Sequence, residues 1–196
     1  MTANPLFLPN DMSDEQLMLQ YSRGDGAAFK VLYLRYKMPL TRFLYLQLGN
    51  DFHIEEILHD IWIAIIDLSK NYQPTAKFKT LLYRIAHNRI IDNYRRKKIV
   101  YSISQLDIPE DQGEEWLDEN SNLETLLINE QITQGFLSAI NELPAAQREV
   151  FLLKQETGLK VKEIADIMGI DMEAAQSRLR YAKTKLVAAI KEICDE

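Results

Sequence analysis

Cysteine is almost missing from this sequence: there is one in 196 residues, Cys194. A lone thiol excludes an intrachain disulfide framework and any metal cluster built on several cysteines, and it fits a reducing compartment. Glycine and proline are scarce too, seven and six residues, while Leu, Ile, Ala, Glu, Lys and Gln dominate, so intrinsic preference favours helix over sheet. Long apolar runs are lacking. The longest, Ile61–Ile66, is far short of the roughly 20 residues a helix needs to span a bilayer. The first ten residues have no Lys or Arg ahead of their short apolar stretch and contain Pro5 and Pro9, unlike a secretory leader. The expectation is an all-α protein of the cytoplasm, with no membrane insertion.

Catalytic signatures are equally thin. There is no glycine-rich phosphate loop, no nucleophile elbow and no matched acid/base pair; Glu55-Glu56 and Glu114-Glu115 read as solvated charges. His53, His59 and His87 do not stand at ligand spacing from another His, Cys or carboxylate, so no metal and no cofactor is expected. An enzyme is not indicated.

Positive charge is in deficit overall, net −6, which on its face argues against nucleic acid. The distribution reverses that. Residues 1–104 hold 14 Lys/Arg against 10 Asp/Glu, whereas residues 105–196 hold 9 against 19. Between Gln105 and Glu130 stand nine carboxylates and no Lys or Arg, and residues 131–196 are close to neutral. A basic region is hidden in the total by an acidic stretch.

What is present is helical periodicity. Apolar residues recur from Ser13 to Leu48 (Leu17, Phe29, Leu32, Tyr33, Tyr36, Leu40, Phe43, Leu44), interrupted by Gly24-Asp25-Gly26 and by Pro39, where the second helix is expected to kink or restart. Ile54 to Leu68 places Ile54, Ile57, Leu58, Ile61, Ile65 and Leu68 on one stripe, an amphipathic helix that ends before the loop Asn71-Tyr72-Gln73-Pro74-Thr75. A third block runs from about Ala76 to Lys98 with Phe78, Leu81, Leu82, Ile85 and Ala86 inward. Its other face carries Lys77, Lys79, Arg84, Arg89, Arg95, Arg96, Lys97 and Lys98 against Asp92 alone, interleaved with Tyr83, Asn88, Asn93 and Tyr94. Cations with aromatic rings make a surface suited to a nucleic-acid backbone and stacked bases. A solvated helix face is the plainer reading of the same residues.

Residues 102–122 lose periodicity, gain Pro109 and Gly113 and turn acidic, as a solvated linker does. The expected organisation is two small helical domains, 1–100 and 123–196, joined by a flexible acidic linker at 101–122. After a connecting helix from about Leu123 to Ile140, Leu143-Pro144 opens a helix closed by Gly158, and Asp171 is a plausible cap for the last helix. Between them, Ala165 and Gly169 give the pattern of a helix-turn-helix, in which a small residue lets the second helix cross closely and a glycine permits the turn. Ala175, Leu179, Ala182 and Leu186 fall at steps of four, three and four, which leaves Glu173, Gln176, Ser177, Arg180, Tyr181 and Lys183 outward. In the usual docking that face meets a major groove: Gln176 suits adenine, while Arg178, Arg180 and Lys183 suit phosphates or guanine. A plain helical hairpin would share much of this spacing.

Three groups of residues together resemble one family. Phe78-Lys-Thr-Leu-Leu-Tyr-Arg-Ile-Ala-His-Asn88 with Ile91-Asp92 and Arg95-Arg96 is similar to the promoter-melting segment of extracytoplasmic-function (ECF) sigma factors. Glu55-Glu56-Ile-Leu58-His-Asp60-Ile-Trp62 is similar to the helix that family presents to RNA polymerase. Leu143-Pro144, Gln147-Arg148-Glu149-Val150, Glu163-Ile164-Ala165, Gly169 and Ser177-Arg178-Leu179, with Ala182-Lys183 and Leu186, resemble its C-terminal helix-turn-helix domain. The resemblance implies a region 2-like domain and a region 4-like domain, and a factor that binds core RNA polymerase and directs promoter recognition, melting and initiation.

It also implies roles. Asn71, Tyr72, Lys77, Lys79, Arg84, Asn88, Asp92, Arg95 and Arg96 would engage the −10 element and trap a flipped base. Gln176, Ser177, Arg178, Arg180, Tyr181 and Lys183 would read the −35 element. Glu56, His59, Asp60 and Ile63 would face polymerase, acidic side chains suiting a basic partner. An anti-sigma factor is a further implied partner. Leu81 stands where the family commonly has Trp, His59 where it has Gln, and Gln176 where it usually has a basic residue. The acidic linker is expected to let the domains move and to shield the basic helix until polymerase binds. The alternatives are a polymerase-independent helix-turn-helix regulator, binding a palindromic site as a dimer, and a helical adaptor without DNA.

Overall fold

The computed structural model describes residues 12–49, 53–103 and 134–195, all of its regular elements being helices. Residues 1–11, the acidic stretch from 104 with Trp116 and Glu114-Glu115, and the expected connecting helix up to 133 lie outside the described residues, as do the side chains of Lys97 and Lys98.

Helix α1, Asp14–Ser22, begins in a reciprocal cap: the Gln16 amide donates to Ser13 Oγ at 3.2 Å and the Ser13 amide donates to Gln16 Oε1 at 3.0 Å. The chain turns at Gly24, whose φ of 99° a side chain would strain, and Asp25 starts α2, Gly26–Leu48, by accepting from the Ala27 amide at 2.9 Å. Helix α2 does not restart at Pro39; it is continuous through it. Proline removes one hydrogen bond there, but Tyr36, Leu40, Phe43 and Leu44 stay buried on both sides of it, at roughly 1.5–3 kcal/mol for a large side chain, and that outweighs the local loss.

Helix α3, Ile54–Ser69, buries Ile57, Ile61, Trp62 and Ile65. Trp62 is core: Phe29 meets it edge-on at 5.8 Å and Tyr33 at 5.1 Å. Leu68, expected on the buried stripe, is exposed. Helix α4 spans Phe78–Ile103, running past Lys98 into the segment whose composition suggests a linker. Its first turn is capped from α1, where the Phe78 amide donates to Glu15 Oε1 at 2.8 Å. Burial alone would raise the Glu15 carboxyl, but this amide, its own backbone, Ser13 and Lys77 hold it below the usual range.

Helical residues 134–142 (α5) precede α6, Ala145–Thr157, which follows Pro144 and ends at Gly158 in the left-handed region. Then come α7, Val161–Met168, a turn at Gly169 with φ of 64°, and α8, Met172–Asp195, whose Ala174 amide donates to Asp171 Oδ1 at 2.6 Å. Ala165 is 3% exposed where α7 meets α8, and Ala175, Leu179, Ala182 and Leu186 are buried, as the helix-turn-helix pattern requires.

Helices α1–α4 and α5–α8 lie against each other, α6 on α2 and α7 on α4, and one buried apolar cluster continues through both. This explains why Tyr83, on the α4 face that reads as polar, and His87 are buried. That side of α4 is covered by the second half of the chain.

Candidate nucleic-acid interface

Two faces of α4 have different surroundings. On one, α3, the following loop and α4 enclose an open cavity of about 400 Å³ lined by Asn71, Tyr72, Thr75, Thr80, Leu81 and Arg84, among others. This is within the range of small-ligand pockets. Arg84 and Asn88 are exposed, as are Asn71 and, further along, Arg95 and Arg96. Asp92 is half-buried and lies 3.9 Å from Arg89, a loose pairing one turn away. The Tyr72 hydroxyl is buried and makes no hydrogen bond; burial raises its phenol above the usual range, with the Asp14 and Glu15 carboxylates adding to the rise. Its oxygen is thus near the acidic start of α1, while its residue contributes to the cavity wall. Leu81 adds an apolar side chain to the cavity lining. The arrangement suits a planar, partly apolar group held beside a guanidinium.

The other face of α4 and the residue before it make polar contacts with the second half of the chain. Lys77 Nζ pairs with Glu163 Oε1 at 2.8 Å, and Lys79 Nζ donates to the Thr157 carbonyl at 3.0 Å, at the negative end of α6. Glu163 is held below the usual carboxylate range, first by Lys77 and then by the Lys160 amide. His87 Nδ1 lies 2.6 Å from Glu149 Oε1, with side chains only 9% and 6% exposed. On α2, Arg42 meets Glu156 through both carboxylate oxygens, at 2.8 and 2.5 Å. Gln47 Nε2 donates to the Ala145 carbonyl at 3.1 Å, while Arg148 and the Tyr94 hydroxyl each donate to the Gln47 carbonyl at 3.2 Å.

Sequence reasoning placed Lys77 and Lys79 with Arg84 and Asn88, but the structure divides them. Asn71, Tyr72 and Arg84 share the cavity; Lys77 and Lys79 bond to α7 and the end of α6. The carboxylates Glu149, Glu156 and Glu163 were not foreseen in this position. Their one visible signal is a seven-residue interval, and it does not point to its partners.

On α8, Gln176, Ser177, Arg180, Tyr181 and Lys183 are exposed and Arg178 is half-buried. These side chains form one outward face over the buried Ala175, Leu179 and Ala182, so the turn at Gly169 presents a helix that can enter a major groove. Glu173 shares that end of the helix and lowers its attraction for phosphate. On α3, Glu56, His59 and Ile63 are exposed and Asp60 is half-buried, together a surface of two carboxylates beside an apolar side chain. Among the described residues no group of three or more His, Cys, Asp or Glu could hold a metal ion, and no helix is long and apolar enough to cross a membrane.

Comparison with known proteins adds to this geometry. The family model for Sigma-70 region 2 matches residues 32–99, and that for Sigma-70, region 4 matches residues 133–186. Similar curated proteins include the ECF RNA polymerase sigma factor SigW of Bacillus subtilis, 26% identical over 93% of this chain and 100% of that protein. The ECF RNA polymerase sigma-E factor of Escherichia coli is 25% identical over 90% of this chain and 93% of its own length. Among solved structures, the sigma factor RpoE in complex with the anti-sigma factor NepR from Bartonella quintana shares the fold with a TM-score of 0.69 and 21% identity, covering 83% of this chain and 96% of that one. CnrH in complex with the cytosolic domain of CnrY does so with a TM-score of 0.63 and 20% identity, over 91% and 97% of the two chains.

Proposed function

This chain belongs to the sigma-70 family, matched by the region 2 and region 4 models in that order, and from that premise we infer that it is an ECF sigma factor: it binds core RNA polymerase and directs it to promoter DNA. The observation that carries the reading is the presence in one chain of a base-sized cavity beside Arg84 and Asn88 and a separate outward helix-turn-helix face on α8. A factor that opens DNA needs the first, and one that locates a site on duplex DNA needs the second.

The chemistry assigned to each follows. A base leaving the stack at the −10 element would enter the cavity between the Tyr72 side and Leu81, its flanking phosphates held by Arg84, Arg95 and Arg96 with Asn71 and Asn88 hydrogen bonding. Asp92 would orient the neighbouring Arg89 and accept from a base edge. At the −35 element Gln176 would pair bidentately with adenine, Arg178, Arg180 and Lys183 would bind phosphate or guanine, and Ser177 and Tyr181 would complete the contact. Lys77 and Lys79 join the −10 contacts once they leave Glu163 and Thr157. Glu56, His59, Asp60 and Ile63 would meet a basic polymerase surface around an apolar contact.

Such a factor works in the cytoplasm, where polymerase is, and its action is binding and positioning, without catalytic residues, metal or cofactor. Domains at 1–100 and 123–196, joined by the acidic linker at 101–122, are part of the proposal, as is an anti-sigma partner of the kind seen with RpoE. The test is in vitro transcription from a pool of genomic fragments with purified core polymerase. Starts at a defined set of sites, dependent on this chain, support the reading. A chain that binds palindromic DNA as a dimer and leaves polymerase unaffected refutes it.

A further inference from the structure

We propose that the outward face of α2 is a docking surface for the chain's own N-terminal segment, with Leu6, Phe7 and Leu8 laid over Leu34, Met38 and Tyr45; the inference goes beyond the sigma-factor reading and does not depend on it. Leu34, Met38 and Tyr45 follow one another at steps of four and seven, so they share one side of the helix. Leu32, Tyr36, Leu40 and Phe43 are buried on the opposite side. Leu34 and Met38, 61% and 68% exposed, are the two most exposed large apolar side chains among the described residues, and Tyr45 continues their line at 41%. The cations beside this stripe are engaged elsewhere: Arg35 pairs with Asp14, Arg42 with Glu156, and Lys37 Nζ lies 5.8 Å from the centre of the Tyr33 ring. An apolar stripe left in water is unfavourable and marks a contact still to be made.

The occupant follows from where the described chain begins. The Met12 carbonyl accepts from Arg35 Nη1 at 3.3 Å, and Arg35 is the neighbour of Leu34. Residues 1–11 therefore start beside the stripe. Leu8 is four residues from Met12 and Leu6 is six, reaches of up to roughly 14 and 21 Å at ~3.3–3.6 Å each. Tyr45 is ten residues beyond Arg35, roughly 15 Å along a helix that rises ~1.5 Å per residue. The segment is thus long enough to follow the stripe to its end. Its composition agrees, for it has no Lys or Arg to meet Lys30 and Lys37 along the edge of the stripe, and Asp11 is its one acidic side chain. Pro5 and Pro9 fix their own φ and push Asn4 and Leu8 towards extended backbone, which suits a strap laid across a helix. A second copy fits the stripe less well, because the Lys30 and Lys37 edge of one α2 would lie against cations of the other in either orientation.

The experiment places the photoreactive residue p-benzoylphenylalanine at Leu6 and, in a second protein, at Phe7 of the full chain, and maps the cross-links formed on irradiation by mass spectrometry. Benzophenone inserts preferentially at methionine, so the expected product is a link within one chain to Met38 or to its neighbours Leu34 and Tyr45, in a yield independent of protein concentration. The second readout is oxidation by dilute peroxide, with the exposed Met172 on α8 as internal reference. Relative to Met172, Met38 should be oxidised at least about threefold more slowly in the full chain than in a chain lacking residues 2–10. Leu6→Asp/Phe7→Asp/Leu8→Asp, which keeps the length, should behave as the deletion does. Links between two chains would assign the stripe to a second copy, and links to another element, or none, would leave it without this occupant; each of these overturns the proposal. So does equal oxidation of Met38 in all three proteins.

Discussion

The His87–Glu149 pair lends itself to a double-mutant cycle in which the single and double replacements move stability in different directions. His87 Nδ1 and Glu149 Oε1 share a hydrogen bond 2.6 Å long, and the two side chains are nearly shut off from water. A hydrogen bond to a charged group contributes roughly 1.5–3 kcal/mol, and removing one partner of a buried pair costs about 3–5 kcal/mol because the other remains desolvated. Replacing both by apolar residues of similar volume leaves no such orphan. His87→Leu and Glu149→Leu should therefore each destabilise the free chain, while His87→Leu/Glu149→Leu should return to within about 1 kcal/mol of the parent. Urea denaturation at neutral pH, followed by far-ultraviolet circular dichroism, should give a coupling above about 1.5 kcal/mol. Losses that add to within ~0.5 kcal/mol would show that the two groups do not share a buried contact and would refute the His87–Glu149 pairing.

Other consequences are as direct. Arg84→Ala/Asn88→Ala should abolish promoter opening, read by the reactivity of unpaired thymines, with polymerase affinity unchanged; loss of polymerase binding as well would contradict the assignment. Glu56→Lys/Asp60→Lys should weaken association with core polymerase about tenfold or more in a fluorescence titration, and unchanged affinity would remove that contact from the account. Tyr72→Phe should leave opening unchanged, because the hydroxyl is buried near Asp14 and Glu15, whereas Tyr72→Ala should reduce it by a stacking loss of about 1–3 kcal/mol. A larger loss with Phe than with Ala would reverse that. The Glu163 and Glu15 carboxyls are depressed by Lys77 and by the Phe78 amide respectively, so the stability they add is present above their unfolded pKa and is lost as pH falls through the folded value. The urea midpoint should hold from neutral pH down to the ordinary carboxylate range and fall below it; a fall on the alkaline side instead would contradict the pairing.

Much of this was legible in the residues. The helix-turn-helix could be read because Ala165, Gly169, Ala175, Leu179 and Ala182 obey a local rule, a close crossing and a left-handed turn, that acts over a few residues. The same holds for the α3 stripe and for Asp171 as a cap. The helix does not restart at Pro39 because the proline rule is local, while the packing of Tyr36, Leu40 and Phe43 that overrides it is not. Leu68 fits the helical period yet lies past the end of the apolar contact, which no period reveals. The seam between the halves was illegible for a stronger reason. Glu149 or Glu163 looks the same whether it faces water or a lysine 86 positions away, and no spacing encodes the difference. The candidate site was accordingly read as one basic face, where the structure divides it between an open cavity and an internal contact.

The central claim is that this chain makes polymerase open DNA at chosen places. Permanganate reactivity of thymines tests it on a promoter fragment selected by in vitro transcription, incubated with the chain alone, core polymerase alone, and both. The account predicts a reactive patch near the −10 element only with both, and its loss with Arg84→Ala/Asn88→Ala. Polymerase that melts the same patch without the chain, or a chain that binds the fragment and leaves every thymine paired when polymerase is present, would contradict it.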